Sequence, residues 1–120
     1  MFINNKNKCI PILGALSERI YELIGTHAGN TNEVSVAYLE LPSNASTSKH
    51  YHPNMIEVYY VLDGRAEILL NNKIIEINKN DVILIERNTT HQLMNNSDKT
   101  LHLLTISTPA WTPIAEVAVT

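Results

Sequence analysis

Two imidazoles and a carboxylate crowd one short stretch of this chain, His50-Tyr51-His52-Pro53-Asn54-Met55-Ile56-Glu57, and a third imidazole, His91, follows much later. Three neutral histidines and one carboxylate form a donor set that suits a divalent transition metal. A metal held by protein on one side, with open positions on the other, can bind and activate a small molecule. The mixed nitrogen and oxygen donors favour Fe(II) or Mn(II), with Zn(II) and Ni(II) as alternatives, because ligand type alone separates these ions poorly. The site, more than any fold, is the argument for function.

Spacing says what must position these groups. On a strand, His50 and His52 share one face, roughly 6.5–7 Å apart along it. Glu57 lies an odd number of residues after His52, so an unbroken strand would send it to the opposite face. Pro53 removes a backbone donor and resists a central strand position. A bulge or short loop at Pro53-Asn54-Met55 would reset the phase and return Glu57 inward. Beyond it, Glu57-Val58-Tyr59-Tyr60-Val61-Leu62 reads as a strand stopped by Asp63-Gly64, a favoured hairpin turn.

The rest of the chain follows the same style. Short apolar or alternating runs separated by turn residues predict an all-β sandwich or barrel. Strands are expected over 33–41, 55–62, 65–70, 73–77, 91–95 and 100–107, with Asn71-Asn72 and Asn78-Lys79-Asn80-Asp81 as turns. Val82-Ile83-Leu84-Ile85 is a continuous apolar run, expected to be buried on both faces. Val58, Val61, Val82, Leu84 and Ile106 are the expected core. Residues 17–24 can be read as a helix opened by Ser17 or as a strand over Arg19–Ile24. The strand is preferred, because the segment is short and its surroundings are β.

Composition bounds the partners. The 120 residues make one domain, 1–120, and a hydrophobic content of 44% is enough for one core. The net charge of −3 and pI near 5.9 leave no broad basic surface for phosphate backbones, so nucleic acid is not an expected partner. Cys9 is the single cysteine and cannot form an internal disulfide, which fits a reducing cytoplasm. No stretch reaches the ~18 apolar residues of a membrane span. The start of the chain lacks a signal-peptide apolar region. A cytoplasmic protein is expected.

Taken in order, these residues resemble the cupin family. Its first motif has two histidines one residue apart, a glutamate about five residues on and a glycine seven further, matched by His50, His52, Glu57 and Gly64. Its second runs here from Asn80 to Asn95, where Asp81, His91 and Asn95 match. Asn80, Glu86 and Asn88 stand in place of the usual Gly, Pro and Gly. Asparagine is the next best residue after glycine at a positive φ, so two of these departures suit turn positions. The resemblance covers about 33–107 and is nearest to the small single-domain bacterial cupins. It implies a double-stranded β-helix, a jelly-roll-like barrel. It also implies a metal near one mouth, held by His50, His52 and Glu57, with His91 closing the set from a neighbouring strand.

The remaining candidates are substrate contacts. Tyr59 shares the face of Glu57, Asn95 that of His91, and Tyr38 is taken to point inward. Trp111, in Ser107-Thr108-Pro109-Ala110-Trp111-Thr112-Pro113, is placed to line or cap the mouth. His27 reads as a solvated loop residue and His102 as exposed or supporting. No further Asp or Glu stands out as a general base, which leaves Glu57 as the catalytic candidate. The expected function is a small-molecule metalloenzyme, an oxygen-dependent dioxygenase or a sugar or keto-acid isomerase. The alternative is a non-catalytic module that binds or senses a sugar-like small molecule. Apolar ends, around 10–24 and 114–119, are expected to lie outside the barrel core implied by the motifs, and their need for cover points to a homodimer.

Overall fold

The computed structural model describes residues 2–14 and 16–120. Among the described residues eleven short strands follow one another: β1 Ile12–Leu13, β2 Arg19–Ile24, β3 Ser35–Leu41, β4 His50–Tyr51, β5 Ile56–Asp63, β6 Arg65–Leu70, β7 Lys73–Asn78, β8 Val82–Ile85, β9 His91–Met94, β10 Leu101–Thr108 and β11 Val117–Ala118. The only helical pieces among the described residues are two single 3-10 turns, Lys6–Lys8 and Pro113–Ala115. The strand preferred for Arg19–Ile24 over a helix is present as β2.

The strands form two antiparallel sheets, ordered β1-β2-β3-β10-β5-β8 and β11-β4-β9-β6-β7, the double-stranded β-helix. Both sheets feed one core. Leu39, Tyr59, Val61 and Leu103 enter from the first, and Ala66, Ile68, Ile77 and Leu93 from the second. Alternation sets which side chains go in: along β3, Ser35, Ala37, Leu39 and Leu41 are buried while the residues between them are half-buried. Each fully buried leucine contributes about 1.5–3 kcal/mol of apolar transfer.

Turn chemistry behaves as the sequence suggests. Asn71, Asn80 and Asn88 have φ of 54°, 73° and 65°, so asparagine supplies the left-handed conformation in each place. Gly64 closes the β5–β6 hairpin at φ 89°, and a Cβ there would lie 3.0 Å from the Thr100 carbonyl oxygen. Backbone approach and conformation both demand glycine.

Two expectations are corrected. Of the five expected core residues only Val61 is fully buried: Val58 and Ile106 are half-buried on the outer faces of β5 and β10, and Val82 and Leu84 are 64% and 59% exposed. Strand β8 is the outer edge of the six-stranded sheet and only Ile85 turns fully into the core, so the apolar run has one buried side, not two. The chain ends are also not outside the barrel. β1 and β2 extend the first sheet, and β11 adds to the second by pairing with β4.

Candidate metal centre and its cavity

Strand pairing brings the histidines together. His50 on β4 and His91 on β9 are direct cross-strand partners. Their rings lie 4.4 Å apart between centroids, with His52 4.8 Å from His50 and 5.2 Å from His91. One ligand-capable atom from each of the three lies within 4.8 Å of the others, and all three residues are buried.

Glu57 arrives by the phase reset that Pro53 predicts. The chain leaves β4 at Tyr51, turns through Pro53-Asn54, and restarts as β5 at Ile56. Glu57, Tyr59 and Val61 then point inward. The Cα partner of Glu57 on β10 is Ser107, whose hydroxyl donates to Glu57 Oε2 at 3.3 Å. Glu57 Oε1 lies 3.3 Å from His91 Nε2 and 3.8 Å from His52 Nε2.

The protonation pattern follows from the partners. Nδ1 of each histidine faces a backbone carbonyl: Ser48 for His50 at 2.9 Å, Ala115 for His52 at 2.9 Å and Thr89 for His91 at 2.8 Å. A carbonyl only accepts, so Nδ1 must donate, and in each neutral ring Nε2 is left with its lone pair. His52 Nε2, His91 Nε2 and Glu57 Oε1 are buried and have no hydrogen-bond partner. Acceptors facing acceptors in a buried site are unfavourable without a cation between them. Either a proton on a histidine or a metal ion supplies it. Carbonyl-anchored Nδ1 atoms are the usual outer support of metal-binding imidazoles.

Electrostatics point the same way. Burial alone would raise the Glu57 carboxyl, but the His91 contact and charge, with His52 and Tyr59, outweigh it and hold the group below its ordinary value. Burial lowers the His50 imidazole, and the charge of His91 lowers it further against the opposing pull of Glu116. Tyr59 is pushed well above its ordinary value, by burial first and then by the Glu57 charge. Its hydroxyl therefore stays protonated beside the carboxylate.

A cavity of about 320 Å³ opens from this cluster, lined by His50, Glu57, Tyr59 and Trp111 among others. Of the expected substrate contacts, Tyr59 and Trp111 belong to this lining and Tyr38 and Asn95 do not. Tyr38 lies between the inward-facing Ala37 and Leu39 of β3, on the other face. Its hydroxyl pairs with His102 Nδ1 at 2.9 Å. Asn95 is fully buried and committed to a loop: its amide donates to the Leu41 and Lys99 carbonyls, and its Oδ1 accepts from the Ser97 backbone and hydroxyl. His27 is exposed.

The expectation that no further acid serves the site is also corrected. Glu116 Oε1 lies 4.0 Å from His50 Nε2 and accepts the Trp111 indole N–H at 2.8 Å. Glu18 and Glu22 line the same cavity. The pair had a legible signal: Glu18, Ile20 and Glu22 alternate, so one strand face carries all three. Glu116 had none, because only the pairing of β11 with β4 brings it back to His50.

Comparison with known proteins agrees with this geometry. The family model for the cupin domain matches residues 37–107, and the chain belongs to the cupin family. An uncharacterised protein of Methanocaldococcus jannaschii is 32% identical over 92 residues, covering 77% of this chain and 74% of that protein. An oxalate-binding protein of Thermotoga maritima is 26% identical over 106 residues, covering 75% of this chain and 88% of that one. The solved structure of a polyketide cyclase from Streptomyces resistomycificus superposes with a TM-score of 0.82 at 20% identity, covering 100% of this chain and 86% of the other. That last likeness speaks to fold alone.

Proposed function

We propose that this cupin is a metal-dependent enzyme acting on a small molecule, in the oxygen-dependent dioxygenase or sugar and keto-acid isomerase class. The observation that carries the reading is the convergence of His52 Nε2, His91 Nε2 and Glu57 Oε1 as buried acceptors without partners. His50, His52 and His91 would hold the ion with Glu57 as fourth ligand, and the donor set suits Fe(II) or Mn(II) first. When bound, the ion would polarise a substrate oxygen or hold a small co-reactant at an open position.

The chain's own residues supply the rest. The aliphatic wall, Ile12, Ile20 and Leu39, excludes water from the cavity. Tyr59 keeps its proton and orients a substrate oxygen by donating to it. Trp111 holds Oε1 of Glu116, and in this reading Oε2 is the atom that takes and returns a substrate proton. Glu57 is the second proton-handling candidate. The protein is further proposed to be cytoplasmic and to form a homodimer. Among the described residues no helix is long and apolar enough to cross a membrane.

A second reading, a non-catalytic binding module, is favoured by one observation: the Thermotoga maritima relative is named for binding. Metal analysis of protein purified without chelator comes first. A thermal-shift screen of small molecules then follows on wild type and His91→Ala, with Fe(II), Mn(II) or Zn(II) added. Stabilisation that requires metal and vanishes in the variant supports the metal-centred site, and turnover of the stabilising compound separates enzyme from binder. Equal stabilisation of both proteins, with or without metal, rejects the metal-centred reading.

A further inference from the structure

Inward positions along β10 change character from one end of the barrel to the other. Leu101 and Leu103 are fully buried in the core, and the next inward residues are Thr105 and Ser107. β3 beside it runs the same way, from Leu41 and Leu39 through Ala37 to Ser35. Ser107 is only 2% exposed, at a depth usually filled by apolar side chains. A buried hydroxyl is costly unless it finds a hydrogen-bond partner. Ser107 finds one in Glu57, its register partner on β5, by donating to Oε2 at 3.3 Å.

The two oxygens of Glu57 therefore have different surroundings. Oε1 faces His91 Nε2 at 3.3 Å and His52 Nε2 at 3.8 Å, and it has no hydrogen-bond partner. Oε2 is turned towards β10, where the Ser107 hydroxyl holds it. Carboxylates bind ions through one oxygen or through both. A hydroxyl that donates to one oxygen competes with an ion for it, and hydrogen bonds of this kind orient metal ligands. The cavity lies on the same side. His50, Glu57 and Ser107 line it, whereas His52 and His91 do not. An Oε2 released from Ser107 would be free to serve as a second oxygen donor, on the side from which a cavity ligand approaches.

We propose that Ser107 is a positioning residue: its hydroxyl limits Glu57 to one-oxygen ligation and so keeps a cavity-facing position on the ion open for the substrate. The proposal rests on the metal-centred reading. It gives Ser107 a role beyond satisfying a buried carboxylate. A purely structural hydroxyl would set stability or metal affinity, but not the number of positions left open.

The test is the water-proton relaxivity of the full chain loaded with Mn(II), which reports how many exchangeable waters the ion carries. Four protein ligands on an ion that prefers about six donors leave about two waters in the wild type. Ser107→Ala should keep its Mn(II) and lose about half of the inner-sphere relaxivity, as Glu57 takes a second position. Ser107→Thr retains the hydroxyl and should match the wild type. Thr105→Ala changes the same cavity wall on the same strand and should also match it. Circular dichroism checks each fold. The wild-type water count does not depend on any variant, and a count of about one overturns the proposal. Equal relaxivity per bound Mn(II) in wild type and Ser107→Ala overturns it while the metal-centred reading stands. So does a folded Ser107→Ala that no longer holds Mn(II), which would make the hydroxyl a matter of affinity, or a threonine variant that behaves like the alanine one. A wild type that binds no Mn(II) rejects the metal-centred reading itself, and the role of Ser107 with it.

Discussion

Nε2 of His91 and Oε1 of Glu57 lie 3.3 Å apart, buried, and neither has a hydrogen-bond partner. Thr89 fixes the His91 Nδ1–H, so the two facing atoms are both acceptors in the neutral ring. A cation between them turns this repulsion into attraction. That relationship makes His91 the residue whose loss says most.

Replacing His91 by Ala should lower affinity for Mn(II) or Fe(II) by roughly 100-fold or more, since even outer-shell changes cost about 10–100-fold. The barrel should survive, because its core is Leu41, Val61, Ile68, Leu101 and Leu103. A chelator-competition titration measures the first, and far-ultraviolet circular dichroism checks the second. Unchanged affinity removes His91 from the ligand set.

Removing residues 113–120 takes away the Ala115 carbonyl that anchors His52 Nδ1 and the Glu116 carboxylate beside His50. Metal affinity should fall about 10–100-fold with all four proposed ligands still present. Full retention of affinity in the truncated chain would show that residues 113–120 do not set the His52 tautomer.

Acid should release the ion and destabilise the metal-free protein. His50 titrates below its ordinary 6.5 and Glu57 below 4.5 in the fold. For each, the unfolded chain binds the proton first. The stability they contribute is present above those ordinary values and is lost as pH falls through the lowered ones. Protons also compete with metal for the same lone pairs. Metal content after dialysis should hold at pH 7 and decline stepwise below about pH 6. A melting temperature that rises between pH 7 and pH 5 would contradict the sign.

Glu22 has the opposite sign. Its folded carboxyl is raised, so its contribution is full below the ordinary 4.5 and is lost as pH rises through the raised value. Above that raised value the buried charge costs stability. Glu22→Gln should therefore raise the melting temperature relative to wild type more at high pH than at pH 4. A lower melting temperature at pH 7 would mean that the carboxylate is better compensated than its burial suggests.

Light scattering at micromolar concentration should give a dimer mass. Ile10 and Ile114 are 90% and 93% exposed, and β1 is a free sheet edge. Both features invite pairing with a second chain. A monomer at that concentration rejects the assembly.

The sequence by itself determined the class of fold and the convergent histidines. Alternation and turn residues located the strands, and Arg19–Ile24 was legible as β despite its helix-like start. His50, His52 and Glu57 were legible because their spacing fits a strand interrupted at Pro53, and strand spacing is a local property; His91 was joined to them by the resemblance to the cupin motifs, and only the pairing of β4 with β9 brings it there. Burial of Val82 and Leu84 was misread for the converse reason. Apolar content says that a strand has a buried face, but only its place at the sheet edge decides how many. Tertiary structure decided which acids join Tyr59 and Trp111 in the wall of the cavity. Glu18 and Glu22 reach it because β2 joins β3, and Glu116 because β11 closes on β4. Tyr38 and Asn95 were lost from the site by the same logic, one turned outward on β3 and the other spent on a loop. Ligand spacing is written along the chain, whereas the charge of a pocket is summed over strands that meet only after folding.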